Sequence, residues 1–153
     1  MAEVISGTER KMHLNQKPVK KSYIMDVITL RILSVIAVVF GLLTLKAGGS
    51  VIFNIGSLRQ AEGNFVPFVL WFNFLSGFFY IAAGIGLWIQ KRWAVSLSIA
   101  LLISIVITYI FFGIHVLTGG PYEMRTVYAM ALRTFLWAVI SIVSYKQIRL
   151  HQG

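Results

Sequence analysis

The chain has 153 residues, 58% of them apolar and 12% charged, with a net charge of +9 and no cysteine. One domain of this length cannot hide so much apolar surface from water, so the composition places it in a membrane. Without cysteine, disulfides, thiolate nucleophiles, cysteine-held iron–sulfur clusters and zinc ribbons are all excluded.

The positive charge does not point to nucleic acid. Arg10, Lys11, Lys17, Lys20 and Lys21 share one terminal stretch, while Lys91, Arg92, Lys146 and Arg149 flank apolar runs. That placement is an orientation signal and an attraction to anionic headgroups, so the lipid bilayer is the expected partner and nucleic acid is not.

In chain order, residues 1–22 are polar and basic without a helical apolar period, and read as a flexible cytoplasmic tail before a membrane domain over 23–149. The first span is predicted over 27–45. It is longer than an ordinary signal-peptide core, and Leu45-Lys46-Ala47 is a poor cleavage site, so it reads as a permanent span. Arg31 enters only about 6 Å along the axis and can snorkel to the headgroups, with Asp26 as counter-ion. Ser34, Ala37, Gly41 and Thr44 form one small-residue stripe suited to close helix contact.

Residues 46–66 make the longest connection. Ala47-Gly48-Gly49-Ser50 is predicted to end the first helix, residues 51–58 either to lie in the interface or to dip part-way in as a short helix, and Arg59, Glu62 and Asn64 to close a charge-neutral, outward-facing loop. Spans follow at 67–89 and 94–117, joined only by Gln90-Lys91-Arg92-Trp93, which forces a tight hairpin. Its two cations, with Trp88 and Trp93 at headgroup depth, mark a cytoplasmic turn. Asn73, Ser76, Gly77, Tyr80 and Gly84 share a face of the second span, and Phe65, Phe68, Trp71, Phe72 and Phe74 make its outer half aromatic. Those rings read as an interfacial belt, with a ring-lined quinone pocket as the alternative. On the third span Ser96, Ala100, Ser104 and Thr108 recur every four residues as a packing seam. Thr118-Gly119-Gly120-Pro121 stops it, and an outer turn carries Glu123 and Arg125. The fourth span is predicted over 127–145, with Thr134, Ala138, Ser141 and Tyr145 as its seam.

Outside the spans, Lys46, Arg59 and Arg125 are the only Lys or Arg on the other side from the basic tail, hinge and carboxyl end, which together carry nine. The expected fold is therefore an all-α integral membrane protein, an antiparallel four-helix transmembrane bundle with both termini cytoplasmic. With no sorting signal in evidence, the default location is a bacterial inner membrane, multi-pass.

Arg133 needs explaining, since it lies about 9 Å into its span, where an unpaired guanidinium costs on the order of 2.5 kcal/mol. It either snorkels to the outer interface or turns inward to pair with Glu62 or Glu123 or to meet an anion. With His115, Tyr109, Tyr128, Arg59 and Arg125 it would then form an outward-facing polar pocket. His115 itself reads as a hydrogen-bonded or wet interfacial histidine, because no second His or carboxylate cluster offers metal or haem ligation. No metal or cofactor is expected. No Asp or Glu lies inside a span, and no phosphate loop, nucleophile elbow or HExxH is present, so the chain reads as a non-enzyme.

Leu30-Arg31-Ile32-Leu33, Phe40-Gly41-Leu42-Leu43 and Ala82-Ala83-Gly84-Ile85-Gly86-Leu87, running into a basic turn and Ala94, resemble the DoxX-like family of small four-span membrane proteins. The resemblance covers the first three spans. It implies a four-helix membrane subunit, in some relatives associated with oxidoreductases of sulfur or quinone metabolism, and carries over no catalytic residue.

Three functions are therefore expected in order. The first is an accessory or assembly subunit, acting through a membrane protein partner or through self-association. The second is a carrier or channel for a small anion or lipid-like molecule at Arg133. The third is a quinone-linked redox subunit.

Overall fold

A computed structural model describes the backbone of residues 2–53 and 66–149, with side chains over 25–53 and 66–148. Among the described residues it is all-helical. Helix α1 runs Ala2–Ile52, α2 Pro67–Trp88, α3 Arg92–Leu117 and α4 Met124–Ser144, followed by a π-helical turn Tyr145–Arg149. Four stretches are long and apolar enough to cross a membrane: Met25–Ile52, Pro67–Trp88, Arg92–Leu117 and Met124–Ile148. At most 33% of the most apolar window in each is buried inside the protein. The remainder, Leu42, Leu43, Phe78, Phe79, Ile110 and Phe111 among them, faces outward. An apolar exterior of that extent suits lipid and not water.

The start of α1 departs from expectation, because residues 2–22, predicted as a tail without helical period, continue the same helical backbone. Its end departs as well. Gly48 and Gly49 were expected to stop the helix, yet it runs through them to Ile52. The reason is close approach: a Cβ on Gly48 would lie 3.2 Å from Phe74 Cβ, so the missing side chain admits the ring of α2. Packing has overruled the weak helix propensity of glycine.

Helices α1 and α2 make the most intimate pair. A Cβ on Gly41 would sit 2.8 Å from Ile81 Cγ1 and 2.9 Å from the Gly77 carbonyl, and one on Gly84 2.7 Å from Val38 Cγ2. Lipid tails are as apolar as leucine, so such backbone proximity, with its dispersion contacts, holds helices together where the hydrophobic effect does not. Ser34, Ala37 and Thr44 are buried on the α1 side, Ser76 and Tyr80 on the α2 side. Further along, α2 lies against α3 and α3 against α4, around a core of Tyr80, Ile105, Phe112, Met130, Trp137 and Ile140. The Tyr80 and Trp137 rings meet at 4.8 Å, tilted by 38°.

The α2–α3 hinge closes with two crossed hydrogen bonds, Gln90 N–H to the Leu87 carbonyl and Lys91 N–H to the Gly86 carbonyl. This Schellman geometry needs a left-handed residue, here Gln90 at φ 54°. At the other end of α3 the same motif uses Gly119 at φ 82°, where the conformation is free of strain.

Two seams are buried only in part as expected, at Thr108 on α3 and Ser141 on α4, because each helix is rotated. On α3 the buried face carries Ser98, Leu101, Ile105, Thr108 and Phe112, and Ser96, Ala100 and Ser104 are exposed. On α4 the buried face is Met130, Trp137, Ile140, Ser141 and Ser144; Thr134 and Ala138 are half-buried and Tyr145 is exposed. In both cases burial of one large ring, Phe112 or Trp137, sets the rotation, because ring contact area outweighs the closer approach that small residues permit.

Candidate functional site

The α4 rotation decides where Arg133 points. It lies one turn before Trp137, which is fully buried, so the two share a meridian and the guanidinium is carried inward. There it is half-buried. Its Nη1 lies 3.8 Å from Met130 Sδ, a weak acceptor, and its Nε is buried without a hydrogen-bond partner. No carboxylate among the described residues pairs with it.

The guanidinium opens on a cavity of about 200 Å³ between α1, α2 and α4. Thr44 and Gly48 line it from α1, Val69 and Asn73 from α2, and Arg125 and Thr126 from the first turn of α4. Asn73 Oδ1 is also buried without a partner. The cavity is therefore lined by two arginines, an asparagine and two threonines, around a space large enough for a small oxyanion. Guanidinium groups favour bidentate, charge-assisted hydrogen bonds to carboxylate or phosphate oxygens.

Deeper along the same faces, Tyr80 Oη, Trp137 Nε1 and Ser141 Oγ are buried without hydrogen-bond partners. Elsewhere in the spans four buried hydroxyls are satisfied within their own helices. Ser34 donates to the Leu30 carbonyl at 2.7 Å, Ser76 to Phe72 at 2.6 Å, Ser98 to Ala94 at 2.8 Å and Thr108 to Ser104 at 2.9 Å. Most of the unmet polar groups among the described residues thus lie on the α2–α4 side, with Gln147 Oε1 apart from them at the end of the fourth span.

The structure does not bring the other predicted site residues to this cavity. His115 caps the end of its own helix: Nε2 donates to the Pro121 carbonyl at 3.2 Å, and its ring meets Phe68 edge-on at 6.2 Å. Tyr109 stacks on Phe112 at 6.5 Å, and Tyr128 points away from the protein, 68% exposed. Glu123 precedes α4 as its N-cap residue and makes no side-chain cap bond there. Arg59 and Glu62 lie outside the described residues. Among the described residues, no group of three or more His, Asp or Glu is placed to hold a metal ion.

Asn73, Thr44 and Thr126 were not predicted as binding residues. Asn73 and Thr44 had been assigned to packing stripes, and the signal that would have recruited them is Arg133 itself, once Trp137 is recognised as fixing its direction. The aromatic half of α2 forms a ladder of edge-on rings, Trp71 to Phe74 at 6.4 Å and Phe74 to Phe78 at 5.6 Å, and Phe74 covers the glycines of α1.

Compared with protein-family models, curated proteins and solved structures, the chain matches none.

Proposed function

We propose that this is a non-enzymatic, multi-pass cell-membrane protein that binds a small anion, or the anionic head of a lipid-like molecule, in an outward-facing pocket around Arg133. One observation carries the reading: a half-buried guanidinium without a carboxylate partner among the described residues faces a polar-lined cavity. An arrangement that costly to insert is retained where the charge has work to do.

The proposed topology is an antiparallel bundle with both termini cytoplasmic. In support, Ser34 lies beside Gly84, Gly41 beside Gly77 and Gly48 beside Phe74, positions that rise along α1 as they fall along α2. Gln147 Nε2 donates to Asp26 Oδ1 at 3.3 Å, which brings the end of the fourth span to the start of the first. Lys91, Arg92 and Lys146 then share the basic, cytoplasmic end, and the Arg133 cavity lies towards the opposite one.

Inorganic phosphate and acetate are the probes. Either is expected to stabilise the detergent-purified protein by about 1.4 kcal/mol at tenfold over its Kd, read as a rise in Tm. Arg133→Gln should abolish the rise, and phosphate supplied only outside right-side-out vesicles should still protect. If neither anion moves the unmodified protein, or the Gln variant responds equally, the reading is wrong.

A second reading, an accessory subunit or homo-oligomer, is favoured by the exposed Ser96, Ala100 and Ser104. Small residues spaced by four on a lipid-facing surface allow another helix to approach closely. Native-detergent purification should then recover a defined oligomer or a stoichiometric partner, and a monodisperse monomer would remove this reading.

A further inference from the structure

At the basic end of the bundle, away from Arg133, α1 and α2 leave a second hollow of about 250 Å³. Val35, Val38, Val39, Gly84, Ile85 and Trp88 line it. Ser34, the one polar side chain on its wall, has its hydroxyl turned into the Leu30 carbonyl at 2.7 Å, so the surface offered is apolar throughout. Val35 and Ile85 are about half exposed, so the hollow is a groove open to the side. A side-opening apolar groove in a membrane span is filled by a hydrocarbon chain.

The charge at its mouth says which kind. Arg31 stands one turn before Val35, and its guanidinium carbon lies 5.4 Å from the centroid of the Trp88 ring. That cation–π contact is its only interaction among the described residues, and it leaves the N–H donors around the guanidinium edge unused. Lys91, exposed, and the neighbouring Arg92 add positive potential beside Trp88. From Arg31 to Val39 the groove descends about 12 Å along the helix axis, most of the ~15 Å depth of one leaflet.

We infer that this groove is a binding site for one phospholipid with a net negative headgroup, its acyl chain lying over Gly84 and its phosphate on Arg31. The indole of Trp88 holds the guanidinium at phosphate level, and Gly84 lets α1 and α2 approach so that Val35, Val39 and Ile85 form the walls. The site is separate from the Arg133 pocket and does not depend on that reading.

The test uses the full chain, delipidated in detergent, re-exposed to mixed micelles of phosphatidylglycerol and phosphatidylethanolamine, and examined by native mass spectrometry. One phosphatidylglycerol per chain should be retained in preference to phosphatidylethanolamine. Arg31→Gln should cut that preference about five-fold, the effect of one basic side chain at a membrane surface. Val35→Trp, which fills the groove from an exposed position, should reduce retention of both lipids, and Lys46→Gln, beyond the far end of the groove, should change neither. Unaltered Tm values for the variants would show that the losses are local. Equal retention of the two lipids by the unmodified chain overturns the inference. So does a preference that survives Arg31→Gln, or retention that survives Val35→Trp.

Discussion

Arg133→Met is expected to raise the stability of the purified protein by about 2 kcal/mol while removing its response to anions. The methionine keeps the apolar stem beside Met130 and deletes a guanidinium whose Nε is buried without a partner. Replacing a buried ionic group by an apolar one of similar volume is often stabilising, because the cost of desolvation disappears with the charge. An opposite movement of stability and binding is the mark of a group held in place for function. Detergent-based thermal unfolding with and without phosphate measures both quantities on one preparation. A loss of stability in Arg133→Met would mean that the guanidinium already has a strong partner, and the anion pocket would have to be given up.

The second large effect concerns the α1–α2 contact. Gly41→Ala is expected to cost about 2 kcal/mol, since the new Cβ would lie 2.9 Å from a backbone oxygen, that of Gly77, as well as 2.8 Å from Ile81 Cγ1. A side chain can turn aside, but a carbonyl in a hydrogen-bonded helix cannot, so the helices must separate along the whole seam. Gly113→Ala is the control. Nothing lies within 4 Å of a Cβ built there, and the gain in helix propensity should add up to about 1 kcal/mol. Unfolding both variants in the same detergent reads the difference; equal stabilities would show that α1 and α2 are not held by backbone proximity at this point.

These two residues also mark how far the amino-acid order could be read. The small-residue stripes of α1 and α2 were legible because spacing and chemistry agree there: Gly41, Gly77 and Gly84 leave room into which Ile81, Leu45 and Val38 of the facing helix pack. On α3 and α4 the same rule named Ser96, Ala100, Ser104 and Thr108, and Thr134, Ala138, Ser141 and Tyr145; of these Thr108 and Ser141 are buried, while Phe112 and Trp137 turned the others away from the centre of the buried face. The direction of Arg133 followed from that rotation. A guanidinium read against the Thr134 stripe lies off to one side, but read against Trp137 it enters the bundle.

Local order along the chain determined what depends on length and transfer energy: four apolar stretches of membrane-crossing length, the tight hinge at Gln90 and Lys91, the absence of thiol chemistry and the asymmetry of basic residues. Those properties are sums over neighbouring residues, and no distant contact can reverse them. Tertiary structure alone decided that Gly48 and Gly49 continue a helix, that Asn73 and Thr126 join Arg133 around one cavity, and that His115 stays with its own turn. Each of these depends on which side chain wins a shared interface between helices far apart in sequence, and that contest is settled by shape and contact area, quantities a single helix does not contain.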